Sequence, residues 1–122
     1  MWNVSVESRT ETSAALIGYG SQDGRPVVLK IAKRAADEWR AGEALAAFDG
    51  IGVARACAHE GGALLVERLL PGDSLVGLAL DGRDEEATEI LATVMATMSP
   101  RLTHEGQFPT VEDWGRGFAR YA

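Results

Sequence analysis

The sequence has few of the residues that build metal sites and disulfides, and no long apolar run. It contains one cysteine, Cys57, and two histidines, His59 and His104. One cysteine cannot form an internal disulfide, and this set cannot assemble a Cys/His zinc cluster, so we expect no metal site and a cytoplasmic protein. No apolar stretch approaches the ~20 residues that span a bilayer, and the N-terminus lacks a signal-peptide pattern. We therefore expect no membrane partner.

Basic residues are also in short supply. Lys and Arg number 12 against 18 Asp and Glu, for a formal net charge of −6. Because nucleic-acid binding depends on basic patches, this balance argues against a nucleic-acid partner. The remaining composition, 46% hydrophobic and 25% charged over 122 residues, is typical of one soluble globular domain.

The first half of the chain is predicted to form a sheet. Alternating or β-branched stretches predict strands over Val4–Glu7, Ala14–Tyr19, Val27–Ala32, Val53–His59 and Ala63–Leu69. Polar or glycine-rich turns are predicted at Ser8–Ser13, Gly20–Gly24 and Glu60–Gly62, the last of them in a hairpin. Because the connections are short, we expect one five-stranded antiparallel sheet of an α+β fold, with Val27–Ala32 in its interior.

Helices are predicted after the third strand and in the second half. Ala35–Phe48 is rich in helix formers and should pack on the sheet, with Gly42 marking a close contact. Asp84–Met98 carries apolar residues on one face and should end at Ser99-Pro100. Thr110 is a candidate N-cap for a short helix near the end of the chain.

Two charged residues stand out in this pattern. Lys30 lies within an apolar strand and shares a face with Val28, while Glu43 borders the packed side of the following helix. We expect the two side chains to form a solvent-open ion pair on the concave side of the sheet, worth ~0–1 kcal/mol. The alternatives are that Lys30 extends into water from an edge strand, and that Glu43 pairs with Arg40 on the helix surface.

Three segments carry a resemblance to a known family. They are Val27–Lys30, Gly42–Leu45 and Ala63–Gly72. Together they resemble the amino-terminal lobe of aminoglycoside phosphotransferases, and most nearly the aminoglycoside/hydroxyurea antibiotic-resistance kinases, which include streptomycin kinases. Phe108–Trp114 is similar to the segment that follows the first lobe in that family. The resemblance implies a protein-kinase-like N-lobe, with the sheet and one packed helix, followed by a hinge and the first helices of a truncated C-lobe.

The resemblance also implies roles for individual residues in binding ATP with Mg. Lys30 would contact the α- and β-phosphates, Glu43 would hold Lys30, and Val28 would cover the adenine. Val66 would stand at the back of the pocket, while Glu67 and Leu69 would offer a backbone carbonyl and a backbone N–H to the adenine edge. The Ser8–Ser13 turn, including Ser13, would cover the phosphates, although it lacks the glycines that usually let backbone N–H groups approach phosphate.

The catalytic residues of that family have no counterpart in this sequence. Phosphoryl transfer needs an Asp near the acceptor hydroxyl and Asn and Asp ligands for metal, yet the only asparagine is Asn3. We therefore expect a first lobe at 1–69, a hinge or linker at 70–83 and the helical start of an incomplete second lobe at 84–122. These residues alone would lack kinase activity, and a missing C-lobe or another chain would cover the apolar face of the second predicted helix. The alternatives are a pseudokinase-like nucleotide-binding module and a non-nucleotide interaction domain.

Overall fold

The computed structural model of the protein describes residues 2–34, 37–98 and 110–120. The strands are β1 (Ser5–Glu11), β2 (Ala15–Gln22), β3 (Arg25–Ala32), β4 (Ala56–Glu60) and β5 (Ala63–Glu67). The helices are α1 (Ala41–Ala47), α2 (Val76–Leu80), α3 (Asp84–Thr97) and α4 (Val111–Gly115), with 3₁₀ segments at Asp37–Arg40 and Arg116–Arg120.

The five strands form one antiparallel sheet in the order β1-β2-β3-β5-β4. This confirms the predicted sheet and α+β class, and it places β3 at the centre rather than at an edge. The core residues Ala15, Val27, Ala32, Leu64 and Leu65 all belong to β2, β3 and β5. The buried core of the described residues therefore lies on the central strands, and Lys30 belongs to one of them.

Two predicted turns are shorter than expected. Ser8 to Glu11 belong to β1, because they pair with Leu16 to Tyr19 of β2. Similarly, Gly20 lies inside β2, where a side chain would collide with the backbone carbonyl oxygen of Ser5. Asp23 and Gly24, both with positive φ, alone make the β2–β3 turn, the two-residue geometry that matches strand twist.

The helix predicted over Ala35–Phe48 is only partly regular. Residues 35–36 lie outside the described part, Asp37–Arg40 is a 3₁₀ segment, and α1 spans only Ala41–Ala47. The close contact expected at Gly42 is confirmed, since a Cβ there would lie 2.5 Å from the Cβ of His59 in β4. The indole of Trp39 covers the β4–β5 hairpin turn at Gly62. The segment therefore packs against the β4–β5 side of the sheet.

The second half contains short helices with exposed apolar side chains. The segment 70–83, predicted as a linker, contains the short helix α2, which was not expected from the sequence. Helix α3 agrees with its predicted bounds, although Ser99-Pro100 lies outside the described residues. Its apolar positions Ile90, Leu91, Val94 and Met95 are 39–62% exposed.

Thr110 caps α4 as predicted, because its hydroxyl accepts the Asp113 N–H at 3.1 Å. Among the described residues, no helix is both long and apolar enough to cross a membrane.

Candidate functional site

The register of β2, β3 and β5 places an apolar surface around Lys30. Lys30 lies opposite Ile17 on β2 and Leu64 on β5. Residues directly opposite in an antiparallel sheet project to the same side, and alternate residues along a strand share that side. We call this surface the Lys30 face, made of Ile17, Tyr19, Val28, Lys30, Leu64 and Val66.

The carboxylate that holds Lys30 belongs to Glu38. Lys30 Nζ lies 2.5 Å from Glu38 Oε2, in the 3₁₀ segment. Glu43 instead accepts a hydrogen bond from Arg40 Nε at 2.9 Å, so the expected Lys30–Glu43 pair is wrong and the surface alternative is correct for Glu43. The physical reason is the helix phase. A 3₁₀ segment has 3.0 residues per turn, whereas an α-helix has 3.6. Side-chain directions that are extrapolated from a regular α-helix are therefore wrong for this segment.

The Lys30–Glu38 pair is open to water. The two side chains are 29% and 45% exposed. Screening by solvent limits such a pair to ~0–1 kcal/mol of stability. The main effect of the pair is positional, because Glu38 keeps the ammonium group over the Lys30 face.

The turn between β1 and β2 is closed by a threonine hydroxyl. Thr12 Oγ1 accepts the N–H groups of Ala14 and Ala15 at 3.3 and 2.9 Å. Those two N–H groups are therefore already engaged within the turn. Ser13 lies in this turn with an exposed side chain. Lys33 ties the turn to β3 by donating to the Thr12 carbonyl at 3.0 Å and pairing with Glu11 at 2.8 Å.

The predicted adenine end of the site lies where β5 finishes. Val28 and Val66 face each other across β3 and β5, both half-buried. Glu67 anchors the strand end, since its N–H donates to the Arg55 carbonyl at 3.1 Å and its carboxylate accepts the Arg55 N–H at 2.7 Å. Leu69 follows β5 and is 58% exposed.

The structure adds residues that sequence reasoning missed. Glu38, Ile17 and Tyr19 all lie at the Lys30 face. Ile17 and Tyr19 could have been found from the alternation of β2, once its register against β3 was known. Arg68 was also missed. Its guanidinium carbon lies 5.2 Å from the centre of the Tyr19 ring.

Two other features bear on what the site can hold. A concavity of about 760 Å³ lies beside the β2–β3 turn and the last residue of β5. It is lined by Gln22, Asp23, Arg25, Pro26, Val27, Arg55, Cys57 and Glu67. Of the predicted site residues it includes only Glu67, so it is distinct from the Lys30 face. Within the described part of the chain, no group of three or more His, Cys, Asp or Glu side chains is placed to hold a metal ion.

The sheet and the ion pair define a class of protein. A five-stranded antiparallel sheet, with an interior lysine held by a carboxylate from the following helical segment, is the arrangement of a kinase-like N-lobe. The sequence model for aminoglycoside/hydroxyurea antibiotic resistance kinases matches residues 2–120. The chain therefore belongs to the aminoglycoside/hydroxyurea antibiotic resistance kinase family.

A curated relative agrees with this assignment. The chain is 34% identical over 102 residues to streptomycin 3''-kinase of Klebsiella pneumoniae. The match covers 83% of this chain and 38% of that enzyme, so the chain spans well under half the length of the relative. No solved structure matches the chain.

Proposed function

We propose that this chain is the ATP-binding lobe of an aminoglycoside-type antibiotic O-phosphotransferase. The observation that carries the proposal is the Lys30–Glu38 pair on the central strand, beside the half-buried Val28 and Val66. An ammonium group held over an apolar surface suits a ligand with an anionic end and a flat apolar end. A nucleoside triphosphate has both.

The residues fit ATP better than they fit its metal. Lys30 would meet the phosphates, Val28 and Val66 would line the base, and the backbone of Glu67 and Leu69 would be available at the base edge. Glu38 takes over the positioning role predicted for Glu43. Magnesium accompanies ATP in phosphoryl transfer, where it neutralises developing charge. Among the described residues no group of three or more His, Cys, Asp or Glu is placed to hold a metal ion, so the proposal assigns magnesium no ligand there.

In this proposal, catalysis needs the Asp and Asn residues of a motif that the sequence of 122 residues does not contain. The sequence has no asparagine after Asn3 and no His-x-Asp-x-x-x-x-Asn motif. Residues 1–69 act as the nucleotide-binding lobe, 70–83 as the hinge region, and 84–122 as the start of a second lobe. The exposed apolar side chains of α3 would be covered by further polypeptide of that lobe. The proposed compartment is the cytoplasm, where ATP is available and Cys57 stays reduced.

A binding titration tests the nucleotide site. The 122-residue chain is titrated with ATP and magnesium and followed by ¹H–¹⁵N NMR. We expect a Kd of about a millimolar, ~4 kcal/mol, because half a cleft buries only part of the ligand. Lys30→Met should weaken binding by about tenfold, ~1.4 kcal/mol. Arg9→Met is the matched control, since Arg9 lies opposite Gly18 and so projects to the other face of the sheet. Equal binding by the Lys30→Met variant would contradict the proposal.

An activity assay tests the second half of the proposal. The chain is incubated with ATP, magnesium and streptomycin while ADP release is followed. We expect no turnover above background. Turnover that disappears in Lys30→Met would mean that these residues contain the catalytic groups, and it would contradict this part of the proposal.

The exposed face of α3 favours a second candidate function, a non-catalytic module that binds another protein. Leu91 and Met95 are 51% and 62% exposed on the same helix. If this candidate is correct, Met95→Lys abolishes partner binding while ATP titrations are unchanged. If the phosphotransferase proposal is correct, a longer protein that joins this chain to a complete second lobe transfers phosphate from ATP to the antibiotic.

A further inference from the structure

Tyr19 and Arg68 meet across the central strand. Tyr19 lies opposite Val28 on the neighbouring strand β2. The Arg68 N–H donates to the Pro26 carbonyl at 3.1 Å, which extends the β3–β5 pairing by one step beyond Val27 and Glu67. Alternation then places the Arg68 side chain on the same side as Val66, on the Lys30 face.

The contact spans the full width of β3. The strands β2 and β5 flank β3 on its two sides, about 10 Å apart at the ~4.8 Å spacing of neighbouring strands. The Arg68 guanidinium carbon nevertheless lies 5.2 Å from the Tyr19 ring centre, within cation–π range. The two side chains therefore bridge β3 beside Val28, at the end of the Lys30 face remote from Lys30.

We propose that the Tyr19–Arg68 pair is the base-recognition element of this lobe, and that the purine stacks against the guanidinium. The inference rests on the proposed function, that ATP binds the Lys30 face. Arg68 is exposed and its guanidinium carbon lies over the Tyr19 ring. A planar guanidinium stacks readily on flat aromatic groups, which a purine also presents. A nucleotide extended along β3 would then have its phosphates at Lys30 and its base at Arg68.

Two ligands separate base binding from phosphate binding. ATP with magnesium contains both parts, while inorganic tripolyphosphate with magnesium contains only the anionic part. Wild type, Arg68→Lys and Tyr19→Leu are titrated with both ligands by NMR, with Arg9→Lys as the control on the opposite face. Arg68→Lys keeps the charge and removes the planar fork, so a change in ATP affinity reports stacking rather than charge.

We expect Arg68→Lys and Tyr19→Leu each to weaken ATP binding by about two- to fivefold, the size of an exposed cation–π contact. Tripolyphosphate affinity should be unchanged in all variants, and Arg9→Lys should resemble wild type with both ligands. Because Arg68 is a surface residue, its lysine variant keeps the fold, and its circular dichroism spectrum verifies this.

The results distinguish base recognition by Arg68 from nucleotide binding by the lobe as a whole. If wild type binds ATP and Arg68→Lys binds it equally well, base recognition by Arg68 is refuted while the proposed function stands. A parallel loss of ATP and tripolyphosphate affinity also refutes it, since Arg68 would then act on phosphate. If wild type binds no ATP, the proposed function fails and the base-recognition proposal fails with it.

Discussion

The partner of Lys30 can be tested by a double-mutant cycle. The four proteins are wild type, Lys30→Met, Glu38→Gln and the double variant, and their free energies of unfolding are measured by urea denaturation. Lys30 Nζ and Glu38 Oε2 are 2.5 Å apart, but the side chains are 29% and 45% exposed. A pair with this exposure contributes ~0.2–1 kcal/mol in such cycles. We therefore expect a coupling energy in that range, reduced by added salt.

Glu43 provides the matched control. Its carboxylate is held by Arg40, so the cycle of Lys30→Met with Glu43→Gln should give a coupling energy near zero. A larger coupling of Lys30 with Glu43 than with Glu38 would refute the assignment of the ion pair. A Lys30–Glu38 coupling of several kcal/mol would refute the inference that the pair is solvent-screened and mainly positional, and it would weaken the functional role given to Lys30.

Three further predictions follow from packing and charge. In thermal unfolding, Gly42→Ala should lower the free energy of unfolding by about 1–3 kcal/mol, because its new Cβ would lie 2.5 Å from the histidine side chain of β4. As the matched control, Gly77→Ala in α2 meets no atom within 4 Å and should raise the free energy of unfolding by up to ~1 kcal/mol. Leu65→Ala should cost about 2–5 kcal/mol in urea denaturation, since the side chain is 0% exposed; a loss below 1 kcal/mol would contradict its place in the core. The hydrogen bond from Lys33 lowers the pKa of Glu11. The contribution of this ion pair to the stability of the folded chain is therefore present above the ordinary Glu pKa of ~4.3, and it is lost as the pH falls through the lowered pKa. A carboxyl NMR titration should show that pKa returning to the ordinary range in Lys33→Met, and an unchanged pKa would contradict the assignment.

The local pattern of the sequence was sufficient for the sheet and for the position of its lysine. Alternation and β-branched residues predicted all five strands, and the short connections predicted their antiparallel pairing. Lys30 could be placed on the same face as Val28 from strand parity alone, because side chains alternate with a strict period of two. The same residues carried the family resemblance that the comparisons confirmed.

The tertiary structure decided which groups meet at that lysine. The choice of Glu38 over Glu43 depends on a 3₁₀ segment, and the sequence 37–40 contains no signal that separates it from the first turn of an α-helix. The meeting of Tyr19 with Arg68, 49 positions apart, depends on how β2 and β5 both align with β3. Periodicity reports the face on which a residue lies, but register and helix phase come from long-range packing. The sequence by itself therefore determined the sheet and the place of Lys30 within it, and the folded chain determined the partners of that lysine.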